Sequence, residues 1–159
     1  MRPLLALLVA LAVGGCSIID SSKETARDGD GRIIGHNDKA SAYEIQVGDC
    51  YDLPGDTPTV TTMRAVPCDE PHEAEAYHQT TLDGDDYPGE EVARETSGAA
   101  CVDAFEDFVG RPYEDSELDV YRLYPRADSW DLLDDRLVSC LVYDPADPTL
   151  DGTLEGSDR

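Results

Sequence analysis

Residues 88–110, PGEEVARETSGAACVDAFEDFVG, decide the fold because they form a long stretch with a helical period. Apolar side chains between Val92 and Val109 fall largely on one stripe, and Cys101 stands four positions before Phe105 on that stripe. Pro88 and the two glutamates that follow it are typical of a helix N-terminus, where negative charge meets the helix dipole. A glycine at position 110, with a proline two residues later, is typical of a helix end. The stretch therefore predicts one long helix.

Five shorter segments around this helix have the pattern of β-strands. They alternate between apolar and polar residues or are rich in β-branched residues, and they cover residues 43–47, 59–67, 74–82, 118–124 and 136–143. The loop between the last two contains Trp130, the single tryptophan of the chain. This order of elements predicts an α+β domain in which an antiparallel sheet packs against one central helix.

The cysteines indicate where the domain is cross-linked and in which compartment it folds. Four of the five cysteines lie in the predicted domain, at positions 50, 68, 101 and 140. An even number in an exported chain is typical of disulfides, and four cysteines allow three pairings. We favour Cys50–Cys68 and Cys101–Cys140, because each pair joins neighbouring predicted elements. The second would link the central helix to the last strand.

The N-terminus predicts export and lipid attachment. Met1 and Arg2 precede an apolar run, residues 3–13, that is shorter than the roughly 20 residues a membrane-spanning helix needs. A short apolar run behind a basic residue is typical of a signal peptide, here residues 1–15. The next residues, Val13-Gly-Gly-Cys16, resemble the bacterial lipobox, in which the cysteine sulfur receives a diacylglyceryl group and further acylation such as palmitate. We therefore expect Cys16 to anchor the chain to the outer face of the cell membrane.

The composition of the remaining sequence predicts three further segments and excludes nucleic acid as a partner. The stretch 16–42 mixes Ser, Asp, Gly, Lys and Arg, and we expect a flexible lipidated linker there, before a domain at 43–144 and a loose acidic tail at 145–159. The chain has 12 basic and 35 acidic residues, which gives a formal charge of −23. Because such a surface repels a polyanion, we expect no nucleic-acid partner.

Several stretches between residues 44 and 156 form a recognisable set of motifs. The most specific is PCDEPHEAE at residues 67–75, and the others are VGDCY at 47–51, YPGE at 87–90, Cys101 before Ala104-Phe105, Val109-Gly110, Pro125 before Ser129-Trp130, Asp135-Arg136 before Cys140, and LDGTLEG at 150–156. In kind and order these stretches resemble a known family, the septum formation domain of actinobacteria, and the similarity covers about residues 44–156. It implies an extracytoplasmic domain tethered to the membrane of a high-GC Gram-positive bacterium and linked to septum formation.

Catalytic and metal-binding interpretations of the same residues are weaker. Cys68 and His72 are separated by three residues, but a zinc site needs two further ligands and a thiol nucleophile needs a free cysteine. Adjacent acids are common in so acidic a chain, so they do not indicate a glycosidase. We therefore predict no catalytic residue, no metal ligand and no cofactor. Trp130 could line a carbohydrate or peptide groove, although a tryptophan that caps the core is the favoured alternative.

Two functions remain open from the sequence. The first is a non-enzymatic interaction or scaffold module at the cell envelope, whose partner is a cell-division or wall-synthesis protein or the wall polymer. Its contact surface is predicted at Asp69, Glu70, His72 and Trp130, with the run at 69–72 in an exposed turn. The alternative is a ligand-binding lipoprotein or an envelope hydrolase with a site near His72 and Trp130. A deep cleft with converging carboxylates at His72 would favour the second, and a flat surface the first.

Overall fold

The computed structural model describes residues 24–57 and 59–159. In these residues six strands form one antiparallel sheet in the order β1-β3-β2-β4-β6-β5. The strands are β1 (Asn37–Ser41), β2 (Cys50–Asp52), β3 (Thr62–Val66), β4 (Ala74–Thr81), β5 (Asp119–Leu123) and β6 (Leu137–Tyr143). The helices are α1 (Glu90–Val109), a 3₁₀ turn (Tyr113–Asp115) and α2 (Ala127–Leu133). The predicted α+β fold, with an antiparallel sheet packed against one long helix, is confirmed.

Helix α1 packs across one face of the sheet, which we call the helix face. Its buried side chains recur at helical spacing, as predicted, and include Ala93, Cys101, Phe105 and Val109. They meet the side chains that β6 directs to this face, of which Val138, Cys140 and Val142 are fully buried. The period of two in β6 sends Leu141 to the opposite face, where it belongs to a second apolar cluster. The sheet is therefore covered on both sides.

The stretch predicted to be a flexible linker is folded where the structure describes it. It includes strand β1, which pairs with β3, and it buries Ile33 in the apolar cluster of the opposite face. Arg27 forms an ion pair with the buried carboxylate of Asp49 at 2.5 Å. The prediction for residues 16–42 is thus wrong from Glu24 onward, because tertiary contacts order a segment whose composition is typical of a linker. Residues 1–23, including the predicted signal peptide and Cys16, lie outside the described part.

Two other predicted elements differ in position. Residues 43–47, predicted as a strand, form a turn, and Gly48 adopts a φ of 89° before β2 begins at Cys50. Trp130 lies in the short helix α2 rather than in a loop. The Gln46 backbone N–H donates to the Asp49 carboxylate at 2.8 Å, which stabilises the turn before β2.

The C-terminal residues, predicted to be a loose tail, are packed against the domain. Leu150 and Leu154 are buried, and the carboxylate of Glu75 accepts hydrogen bonds from the Thr153 hydroxyl and the Leu154 backbone N–H. The segment then covers the end of α1, whose Gly110 has a φ of 91°. A Cβ atom at Gly110 would lie 2.6 Å from a carboxylate oxygen of Asp158, so this position requires glycine.

Candidate functional site

The predicted contact residues do not form one exposed surface. Asp69 and Glu70 are exposed, but His72 is 1% exposed. The backbone of His72 pairs with that of Leu150, and its Nδ1 lies 2.8 Å from the Glu70 carbonyl oxygen. The other ring nitrogen, Nε2, is buried and has no hydrogen-bond partner. The prediction that His72 belongs to an exposed contact surface is therefore wrong, because this residue is buried where its backbone pairs with the C-terminal segment.

Trp130 is also buried and packs into the core. Its Nε1 donates a hydrogen bond to the Asp85 carbonyl oxygen at 3.1 Å, and the ring of Tyr87 meets it edge-on. The guanidinium carbon of Arg136 lies 3.6 Å from the centre of the indole ring, in a cation–π contact. The favoured alternative, that this tryptophan caps the core, is confirmed. Trp130 and His72 therefore do not form an exposed hydrolase site.

All four cysteines in the described residues are cross-linked as predicted. Cys50 pairs with Cys68, with Cα atoms 5.3 Å apart, and Cys101 pairs with Cys140, with Cα atoms 5.5 Å apart. The first bridge joins β2 to the loop after β3, and the second joins α1 to β6. Because Cys68 is oxidised, it is neither a thiol nucleophile nor a metal ligand in this state.

Two kinds of feature are absent from residues 24–57 and 59–159. No group of three or more His, Cys, Asp or Glu side chains in these ranges is placed to hold a metal ion. Within the same ranges, no helix is long and apolar enough to cross a membrane.

A concave surface lies on the face opposite α1, and we call it the outer-face groove. It has a volume of about 380 Å³, and β5 and β6 form its floor with Tyr121, Leu123, Leu137 and Ser139. Its walls come from three separate segments: the turn at residues 42–43, the loop residues 57 and 59–61, and helix α2 with the residues around it. The groove thus depends on tertiary structure, since it combines three separate stretches of the sequence, 42–43, 57–61 and 121–139.

The rim of the outer-face groove is unusually apolar for so acidic a protein. Leu132 is 80% exposed and Leu133 is 62% exposed, both on α2, and Tyr43 on the opposite wall is 41% exposed. Burial, followed by the charges of Asp135 and Asp128, raises the pKa of Tyr43. Its hydroxyl therefore stays protonated at neutral pH and can donate a hydrogen bond.

A second concavity, which we call the helix-side cavity, lies on the other face of strand β5. It has a volume of about 260 Å³ and is located between α1 and β5, with Arg94, Gly98, Tyr113 and Arg122 among its lining residues. The Nε atom of Arg122 is buried and has no hydrogen-bond partner. The guanidinium lies close to α1, since a Cβ atom at Gly98 would be 3.7 Å from its Cζ and Nε atoms.

Arg122 lines both concavities and was missed by sequence reasoning, as were Leu132 and Leu133. The sequence does contain one signal for the leucines, which form an apolar pair between aspartates. Exposed apolar pairs of this kind are typical of contact surfaces when they lie beside a concave surface. For Arg122 no local pattern distinguishes it from the other arginines.

Comparison with known proteins gives one result. No curated protein and no solved structure matches the chain. The family model described as septum formation matches residues 16–140, which is more than half of the chain and includes the N-terminal segment folded onto the sheet. Both disulfides lie within the matched range. The chain therefore belongs to the septum formation family.

Proposed function

We propose that this protein is a lipid-anchored, non-enzymatic interaction module on the outer face of the cell membrane, and that it binds a protein of cell division or wall synthesis. The family assignment supports a role linked to septum formation. The anchor rests on the lipobox-like stretch that ends at Cys16. The observation that carries the extracytoplasmic location is the oxidised state of the domain, in which two disulfides cross-link every cysteine of the described residues.

The positions of the chemically reactive groups favour interaction over catalysis. Cys68 is bridged to Cys50, and His72 is buried. An acid–base or nucleophilic residue must reach its substrate at hydrogen-bond distance, which neither side chain can do in this arrangement. The outer-face groove is instead lined mainly by apolar, hydroxyl and arginine side chains, together with Asp128 and Asp135, a composition typical of protein-binding surfaces.

The anchor is tested by fractionating a bacterial host that lipidates exported proteins. We expect the wild-type chain in the membrane fraction and the Cys16→Ser variant in the soluble extracytoplasmic fraction. Ser17→Ala is the matched control and should stay with the membrane. A Cys16→Ser variant that remains in the membrane fraction would contradict the anchor.

The interaction is tested by cross-linking in intact cells, followed by purification of the lipidated protein from membranes. We expect a cross-linked division or wall-synthesis protein that is recovered with the wild-type chain. The Leu132→Asp variant changes the exposed groove rim without changing the core, so it should reduce that recovery. Equal recovery of the same proteins with an unrelated membrane lipoprotein would show that the capture is nonspecific and would refute the interaction.

A further inference from the structure

Strand β5 is an edge of the sheet with one side unpaired in the described residues. It pairs with β6 only, and each of its five residues is partly exposed. The Val120 N–H is bonded to the carboxylate of Asp119 at 2.7 Å rather than to β6. Because backbone groups alternate in direction along a strand, the N–H and C=O of Arg122 also point away from β6. The edge thus offers a free donor and acceptor to an added strand.

The two concavities lie on the two faces of this edge. The outer-face groove lies beside Tyr121 and Leu123, and the helix-side cavity lies beside Val120 and Arg122. Side chains of a strand added next to β5 would point alternately to these two faces. One set would enter the outer-face groove with its exposed leucines, and the other set would enter the helix-side cavity.

The charge of Arg122 indicates which side chain fits the helix-side cavity. None of the ion pairs formed by residues 24–57 and 59–159 includes Arg122, although acids outnumber bases by 35 to 12 in the chain. Glu95 and Asp119 also line the helix-side cavity, but neither forms an ion pair with Arg122. The buried Nε of Arg122 also lacks a hydrogen-bond acceptor. A carboxylate from outside the chain would supply both the counter-charge and the acceptor.

We propose that the β5 edge binds an extended peptide segment of a partner protein by strand addition. The bound segment places a Glu or Asp side chain against Arg122 in the helix-side cavity, and it places the apolar side chains on either side of that acid in the outer-face groove. This inference rests on the proposed interaction function and names its surface and the chemistry of the partner. A second copy of this chain fits less well, because two chains of charge −23 repel each other.

The test is a titration followed by NMR. The ¹⁵N-labelled lipoprotein, purified in detergent micelles with its disulfides intact, is titrated with the blocked peptide acetyl-Thr-Leu-Glu-Leu-Thr-amide. We expect saturable shifts of the Val120 and Arg122 amides and slower hydrogen exchange at Arg122. Replacing the peptide glutamate by glutamine, or Arg122 by glutamine in the protein, should each weaken binding about tenfold, the usual scale for one charged hydrogen bond.

Matched controls separate this contact from general electrostatics. Arg111→Gln removes the same charge from an exposed arginine and should leave the affinity unchanged. With Arg122→Gln, the glutamate and glutamine peptides should bind equally, because the specific pair is then absent. Arg122→Lys, which keeps the charge, should retain the preference for glutamate and so shows that the site is intact.

Three results would overturn strand addition. The first is the absence of saturable binding at a few millimolar of either peptide. The second is a set of amide chemical-shift changes confined to residues away from β5. The third is concentration-dependent self-association of the protein that Arg122→Gln abolishes. The last result would assign the edge to a second copy of the chain. If the peptide fails while cross-linking in cells still recovers a partner, only strand addition is refuted. If the peptide binds but no partner is recovered, the proposed cellular interaction fails instead.

Discussion

The ion pair between Arg27 and Asp49 gives the sharpest test of whether the N-terminal segment belongs to the fold. The guanidinium contacts both carboxylate oxygens, at 2.5 and 2.6 Å, and donates a third hydrogen bond to the Gly31 carbonyl oxygen at 2.7 Å. The Asp49 side chain is 3% exposed and that of Arg27 is 18% exposed. Replacing Arg27 by methionine removes the charge and keeps much of the apolar stem.

The expected cost follows from the carboxylate that remains. Removing one partner of a buried ion pair costs about 3–5 kcal/mol, because an uncompensated charge stays behind. Asp49 keeps hydrogen bonds from the Gln46 backbone N–H at 2.8 Å and the Tyr51 hydroxyl at 3.0 Å. Since these bonds and the partial exposure of Arg27 moderate the loss, we expect Arg27→Met to lower the free energy of unfolding by about 3 kcal/mol.

The assay is urea unfolding followed by the fluorescence of Trp130, which is buried and is the single tryptophan. Amide hydrogen exchange provides a local readout at Ile34, whose N–H bonds to the Ala26 carbonyl oxygen at 3.1 Å. Arg32→Met is the matched control, because Arg32 is exposed and should change stability by less than about 0.5 kcal/mol. A loss below 1 kcal/mol for Arg27→Met, with unchanged exchange at Ile34, would refute the reasoning.

Three further predictions concern the helix, one disulfide and one tyrosine. Gly98→Ala should raise the free energy of unfolding by about 0.5–1 kcal/mol, because alanine favours the helix over glycine and its Cβ makes only an ordinary contact with Arg122. A loss of stability in urea unfolding would contradict this. Replacing Cys101 and Cys140 by alanine should lower the melting temperature. The loop-entropy model, for a separation of 39 residues, gives a loss of about 4 kcal/mol in the free energy of unfolding. An unchanged melting temperature in calorimetry would contradict this. Burial, and then the hydrogen bond to Glu90, raise the pKa of Tyr87 to about 12. Because the unfolded phenol ionises near pH 10, its stabilising contribution should be complete below about pH 10 and disappear as the pH approaches 12. Tyr87→Phe, which removes the ionisable group, should flatten this decline in alkaline unfolding curves, and an unchanged decline would assign it to other groups.

The parts of the fold that the sequence predicted are those where local pattern and tertiary packing agree. The helical stripe that contains Cys101 and Phe105 is buried against the sheet, and the alternating segment at 74–82 contains β4. Both disulfide pairings were predicted because each joins elements expected to be neighbours in the fold. In these places the period of apolar residues determines which face is buried.

The parts that were missed are held by polar contacts between distant residues. Strand β1 has the sequence NDKAS, which shows no apolar alternation, and its backbone pairing with β3 orders it. His72 lies in a charged run typical of an exposed turn, yet it is buried and its backbone pairs with that of Leu150, 78 positions further along the chain. The outer-face groove could not be predicted for the same reason, because its walls meet only after the sheet has formed.

The early start of the folded region restricts where the domain can sit above the bilayer. Under the proposed anchor, only residues 17–23 separate the lipidated cysteine from Glu24, and seven extended residues reach about 25 Å at most. Thr25 contacts Asn37 of β1, so the N-terminal segment reaches the sheet at its β1 edge. The other edge, β5, lies five strand spacings away, about 24 Å. The short segment between Cys16 and Glu24 would thus keep the β1 edge of the sheet near the lipid head groups. The opposite edge, formed by β5, would face away from the membrane, towards proteins of the cell wall.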